Sequence, residues 1–165
     1  MSKPLAEFTG TVVYLDTMIP YALLRGIEPA AQALFSRIQA GELVAYTSVL
    51  TFDELTYRML LALIHDRYGA SPLDRLREEE ARMIAEFYPQ IAGPLAQLRA
   101  FPNLTLVEVA ALDLDAMDGA IRQYHIRPRD GLHLAAMQKC ECFDLVSHDH
   151  GFDRVAVVRR YTLTS

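Results

Sequence analysis

Five short runs rich in Val, Leu, Ile and aromatic residues, at 11–15, 43–47, 104–109, 143–147 and 155–159, set the frame of this chain. Most are near-continuously apolar, as strands covered on both faces are. Helical patterns lie between them. Leu114, Met117, Ile121 and Tyr124 recur along one helical face with Asp115, Asp118 and Arg122 opposite, and Asp113 is placed to cap that helix. The next helix carries Leu132, Ala135, Ala136 and Cys140 on one side, which makes Cys140 a small core residue. Residues 51–68 read as one helix, with Leu55, Met59, Ala62 and Leu63 inward and Gly69 beyond its end. Ser71 and Pro72 restart the chain as cap and first helical residue. Leu73, Leu76, Met83, Ile84 and Phe87 then form a stripe that Pro89 terminates, and Gly93-Pro94 opens a short third piece. This alternation predicts an α/β fold, a three-layer α/β/α sandwich around a mostly parallel five-stranded sheet.

No repeat, low-complexity segment or linker divides the chain, so its 165 residues predict one domain over 1–165, with an enlarged helical segment at about 56–101. A domain of this size buries roughly 70 % of the surface its unfolded chain exposes, enough for a core without staples. Cys140 and Cys142 are too close together for a disulfide framework and lack the partner pair of a zinc ribbon. The longest apolar run, 59–64, falls far short of the ~18 residues of a membrane span. Residues 1–7 hold no apolar segment of a secretory signal, so a cytoplasmic protein with no membrane partner is expected. The formal charge of −5 argues against a protein that simply coats nucleic acid. Residues 1–119 hold 9 basic and 16 acidic side chains, whereas 120–165 hold 7 and 5. A polyanion would be met locally, by Arg122, Arg127, Arg129, Lys139, Arg154, Arg159 and Arg160, unless these are ordinary surface charges.

In open α/β sheets ligands bind beyond the carboxyl ends of the strands. The first run leads straight into Asp16-Thr17, and the second ends at Thr47-Ser48 with Glu54 in the first turns of the helix that follows. Asp130 opens a helix just after Arg127-Pro128-Arg129, and the fourth run is followed by Asp149 and then Asp153. With parallel strands, Asp16, Glu54, Asp130 and Asp149 fall at one edge of one sheet. Four clustered carboxylates raise one another's pKa, and a hard divalent cation removes that penalty. An all-oxygen set suits Mg²⁺ or Mn²⁺ better than Zn²⁺, and phosphodiester hydrolysis is the chemistry such a metal supports. Taken singly, each acid has a structural reading, and Asp130 could be only a helix cap.

These elements in this order resemble the PIN-domain ribonucleases, most of all the VapC-type toxins of type II toxin–antitoxin pairs. The resemblance rests on Val13-Tyr14-Leu15-Asp16-Thr17, on Thr47-Ser48 leading to Glu54-Leu55, on Arg129-Asp130-Gly131-Leu132-His133-Leu134-Ala135-Ala136, and on Ser147-His148-Asp149-His150-Gly151-Phe152-Asp153. It implies a metal-dependent endoribonuclease with Asp16, Glu54, Asp130 and Asp149 as catalytic and metal-binding acids and Asp153 as a looser fifth. Thr17 and Ser147 would be supporting polar residues that orient water or a carboxylate. Arg127 and Arg129 would contact the RNA backbone, and cleavage would leave a 5′-phosphate. A cognate antitoxin and a homodimer are implied as partners. Gly131 stands where the family has Ala, at a cost of roughly 1 kcal/mol of helix propensity, and Ser147 where Thr is common.

His133 lies one turn after Asp130 but reads as a packing residue, and His148-Asp149-His150 lacks the spacing of a zinc-protease helix. Two enzyme rivals fail on their motifs. A dehalogenase-like phosphotransferase needs a second Asp two residues after the first, where Met18 stands, and a receiver domain needs an acid pair before its first strand tip and a late lysine. A non-catalytic PIN-like interaction module and a PIN nuclease of RNA processing remain as alternatives to a toxin.

Overall fold

A computed structural model describes residues 2–163 of the chain. Its strands are β1 (Lys3–Pro4), β2 (Val12–Leu15), β3 (Val44–Ser48), β4 (Leu104–Val107), β5 (Asp144–Val146) and β6 (Arg159–Thr162). They form one sheet in the order β1-β6-β5-β2-β3-β4, and every pairing is parallel. The helices are α1 (Met18–Arg25), α2 (Pro29–Gln39), α3 (Val49–Tyr68), α4 (Pro72–Glu78), α5 (Glu80–Arg99), α6 (Asp113–Tyr124) and α7 (Pro128–Lys139).

Strand alternation divides the core between two faces. Val13, Leu15, Ala45 and Val146 pack into one cluster with apolar residues of α1 to α5. Tyr14 and Leu145 point the other way, packing with Ala136 and Met137 of α7 and with Phe152. The α/β/α sandwich is therefore as expected. Its sheet has six strands rather than five, because Lys3–Pro4 adds a short edge beside β6. A Lys-Pro pair carries no strand signal, and proline is tolerated there because it sits at the sheet's edge.

Two further expectations are corrected. The run at 155–159 is not a strand: His150–Arg154 forms a 3₁₀ turn, Val155 is buried against Ala120, Ile126 and Leu134, and Val157 is exposed. The strand starts at Arg159, whose guanidinium donates to both oxygens of its cross-strand neighbour Asp144, at 2.6 and 2.8 Å. Nor does Pro89 end a helix, for α5 runs through both Pro89 and Pro94. Met83, Phe87, Ile91, Leu95 and Leu98 form a continuous buried stripe along it. The carbonyls those prolines leave without a helical partner belong to the exposed Ala85 and Gln90, where water can satisfy them. The break falls earlier, at Glu79, and Ser71 precedes α4 with φ 58° and no capping bond from its side chain.

Gly131 also reads differently in three dimensions. A Cβ there would stand 3.0 Å from Met117 Cγ, 3.2 Å from the Met117 carbonyl oxygen and 3.3 Å from its Cα. The residue lets α6 and α7 approach, and backbone atoms cannot yield as a side-chain tip can. Gly131→Ala should therefore destabilise by about 1–2 kcal/mol, crowding outweighing the roughly 1 kcal/mol gained in helix propensity. Urea denaturation checks it, and a stabilised variant would show that α6 moves aside freely.

Candidate active site

The strand order reverses at β2: β3 and β4 follow on one side, β5 and β6 on the other. The crevice at such a reversal is where α/β sheets bind ligands, and Asp16 and Asp149 straddle it. The Asp16 amide donates to the Val146 carbonyl at 3.1 Å, which ties the tip of β2 to β5. Ser147, fully buried just past β5, donates through Oγ to Asp16 Oδ2 at 2.6 Å and accepts from the Asp149 amide at 2.9 Å. One hydroxyl thus fixes the placement of two acids. Asp16 Oδ1 accepts from the Thr17 amide, and Asp149 Oδ1 from the Gly151 amide, both at 2.7 Å. A Cβ at Gly151 would lie 3.0 Å from Asp149 Oδ1 and 3.7 Å from Asp130 Oδ2, so this loop closes on both carboxylates.

Glu54 projects from the second turn of α3, and Asp130 lies in the first turn of α7. All four predicted acids line one cavity of about 320 Å³, together with Thr17, His133, Arg127 and Arg129. Asp153 does not join them. Both its oxygens accept from the buried Arg160, at 2.8 and 2.9 Å, which holds its pKa below the usual carboxylate value. Arg160 is itself 3 % exposed and donates to the Ser147 carbonyl, so it supports the site from beneath rather than meeting a polyanion. Arg159, Lys139 and Arg122 are likewise engaged, with Asp144, Asp113 and Asp118.

Charge is unevenly shared among the acids. Burial pushes Glu54 up, but the hydrogen bond and charge of His133, with the charge of Arg129, outweigh it and leave its pKa lowered. Asp130 is raised, by burial first and then by Asp149 and Asp16, against the opposing Arg127. Arg127 lies 3.5 Å from Asp149, and Arg129 lies 3.3 Å from both Glu54 and Asp53. The expected cationic pair thus stands on the acids themselves.

His133 is more than packing. Glu54 Oε1 can only accept and lies 3.4 Å from His133 Nε2, so that nitrogen carries a proton. On the other side of the ring, Nδ1 shares a hydrogen bond of 3.0 Å with the hydroxyl of the buried Tyr14. Sequence reasoning also missed Arg58, which lines the cavity one helical turn after Glu54. The i, i+4 spacing on α3 was the available signal.

The donor set fits a hard divalent cation. It is all carboxylate, it includes an acid whose pKa burial and its acidic neighbours raise, and the Thr17 hydroxyl is buried beside it. Among the described residues no three His, Cys, Asp or Glu side chains converge closely enough to hold a metal as they stand, the arginines supplying the local positive charge instead.

Known structures share this architecture. A toxin–antitoxin complex from Klebsiella pneumoniae aligns over 88 % of this chain and 94 % of its own, at 16 % identity and a TM-score of 0.53. VapBC2 from Rickettsia felis, bound to a promoter DNA fragment, aligns over 92 % and 98 % at 12 % identity and 0.54. VapC20 of Mycobacterium tuberculosis, a sarcin–ricin-loop-cleaving toxin, aligns over 87 % and 93 % at 19 % identity and 0.53. Curated protein sequences give no match. The PIN domain family model matches residues 13–158, the span that carries all four acids and the strands that place them, and the chain belongs to that family.

Proposed function

We propose that this protein is a metal-dependent endoribonuclease and the toxin of a toxin–antitoxin pair. The observation that carries the reading is that Asp16, Glu54, Asp130 and Asp149 line one cavity at the switch point of a PIN fold. Asp16, Asp130 and Asp149 would hold Mg²⁺ or Mn²⁺, with Glu54 completing the site. An ion held there would supply a more acidic water and positive charge opposite the phosphoryl group.

The chain's own residues do the rest. Ser147 orients Asp16 and the Asp149 loop, and His133 steers Glu54 through its Nε2–H. Arg127 and Arg129 balance the acids and would turn to the RNA backbone if a cation took over that role. Attack in line on the phosphodiester would release the 3′-oxygen and leave a 5′-phosphate. A cognate antitoxin and a second copy of the chain are the proposed partners, and the cytoplasm the proposed compartment. The neighbours described as toxin–antitoxin complexes support the first of these.

Incubating the protein with total RNA in Mn²⁺ and in EDTA tests the reading. Fragments with 5′-phosphate ends are expected with Mn²⁺ only. Equal patterns in both conditions, from folded protein beside an active control nuclease, would overturn it.

A further inference from the structure

The acid cavity opens into a second, larger one of about 500 Å³, sharing Met18, Arg127, Asp130 and Asp149 with it. Its size falls within the roughly 300–1,000 Å³ of small-ligand sites. Its own lining adds one guanidinium, Arg154, and three imidazoles, His125, His148 and His150, with no acid among the described residues beyond the two shared ones. Arg154 is exposed, and one of its nitrogens donates to the His125 carbonyl at 2.5 Å, which anchors the side chain across the cleft. A guanidinium has five N–H donors, so the remaining ones stay available to an anion. His150 Nδ1 sits 2.9 Å from Arg160 Nη2, and a guanidinium can only donate, so the neutral His150 ring carries its proton on Nε2. The ring is 82 % exposed and can present that proton to a ligand. His148 Nε2 lies 3.3 Å from Glu28 Oε2, a contact that links this loop to the start of α2.

We propose that this cleft binds the phosphate of a single-stranded RNA next to the scissile one, with Arg154 as its principal contact and His150 assisting. The inference rests on the RNA-cleavage reading. A strand whose scissile phosphate lies against the four acids must leave their cavity along a flank, and this flank offers Arg154, a guanidinium with no carboxylate partner among the described residues. Arg127 and Arg129, by contrast, are both paired to acids. Arg154 therefore adds a phosphate contact on this flank, beyond Arg58, Arg127 and Arg129, which line the acid cavity.

The test uses fluorescein-labelled single-stranded RNA of mixed sequence in Mg²⁺, with an Asp130→Asn background to prevent turnover. Arg154→Gln is compared with Arg122→Gln, which removes the same charge from α6 outside the cleft. Arg154→Gln should weaken binding about tenfold and lower the salt slope by about 0.7, while Arg122→Gln changes neither. In the cleaving protein, Arg154→Gln should raise KM with kcat little changed. Equal affinities and slopes for the two variants would overturn the subsite while leaving the nuclease reading intact. An absence of RNA binding in the background protein, together with no cleavage by wild type, would overturn both.

Discussion

Asp130→Asn should lower metal-stimulated RNA cleavage by about 100-fold or more while leaving the fold as stable as before, or more so. Asn keeps the size of Asp and removes its charge. The stability half follows from the raised pKa of Asp130, which burial and the charges of Asp149 and Asp16 produce. A carboxyl group with a raised folded pKa binds its proton more tightly folded than unfolded. Its contribution to stability therefore falls as pH rises from the ordinary value of 3.8 through the raised one. Above that window the charged Asp130 is a cost, and the asparagine variant escapes it. Urea unfolding should show the variant's advantage growing as pH rises above 3.8 and levelling off once pH exceeds the raised value. Mn²⁺ should raise the melting temperature of wild type more than that of the variant. A variant that cuts RNA like wild type would remove Asp130 from the chemistry, and one with a pH-independent stability difference would remove the crowding of acids as its cause.

The largest loss of stability is expected from Arg160→Met. The change takes a buried guanidinium from beneath the site and leaves Asp153 without its fork of two hydrogen bonds and Ser147 without a partner for its carbonyl. Breaking a fully buried ion pair costs about 3–5 kcal/mol. Here about 2–3 kcal/mol is expected, since water reaches the 28 %-exposed Asp153 side chain. Asp153 has a lowered folded pKa, held down chiefly by Arg160. Its stabilisation is thus fully present above the unfolded value and lost as pH falls through the lowered one. The difference between wild type and variant should narrow below about pH 4, as followed by urea midpoints. Arg160→Lys keeps the charge but not the planar fork and should recover only part of the loss. Equal midpoints for all three proteins at neutral pH would mean the pair contributes no net stability. Cleavage should fall with Arg160→Met as well, because the Ser147 backbone it holds carries the hydroxyl that places Asp16 and Asp149.

Much of the frame was legible because burial writes itself into local pattern. The runs before Asp16, Glu54 and Asp149 are apolar on both faces because helices cover both sides of the sheet there. The acids that follow them were conspicuous for standing where such runs stop. What misled was local chemistry overridden by packing. Pro89 reads as a stop, yet the buried stripe from Met83 to Leu98 carries α5 past it. Val157 and Val158 read as strand, yet the ladder forms one step later, where Asp144 and Asp153 neutralise Arg159 and Arg160. Asp153 resembled its neighbour Asp149 in sequence but faces a different cation.

The sequence by itself determined the α/β class, the family resemblance and the position of the four acids, just past a strand or in the opening turns of a helix, since each depends on residue type and order along short segments. Only the tertiary structure decided which charges meet. Arg160 became a support rather than a surface contact, Arg127 and Arg129 became counter-charges to the acids, and His133 joined Tyr14 to Glu54 across 119 and 79 residues of chain. Side-chain pairing over such separations follows from sheet order and helix placement, which no local pattern encodes. Gly131 shows the same thing on a smaller scale. On its own helix it is a weakness, and against the Met117 backbone it is the residue that lets two helices touch.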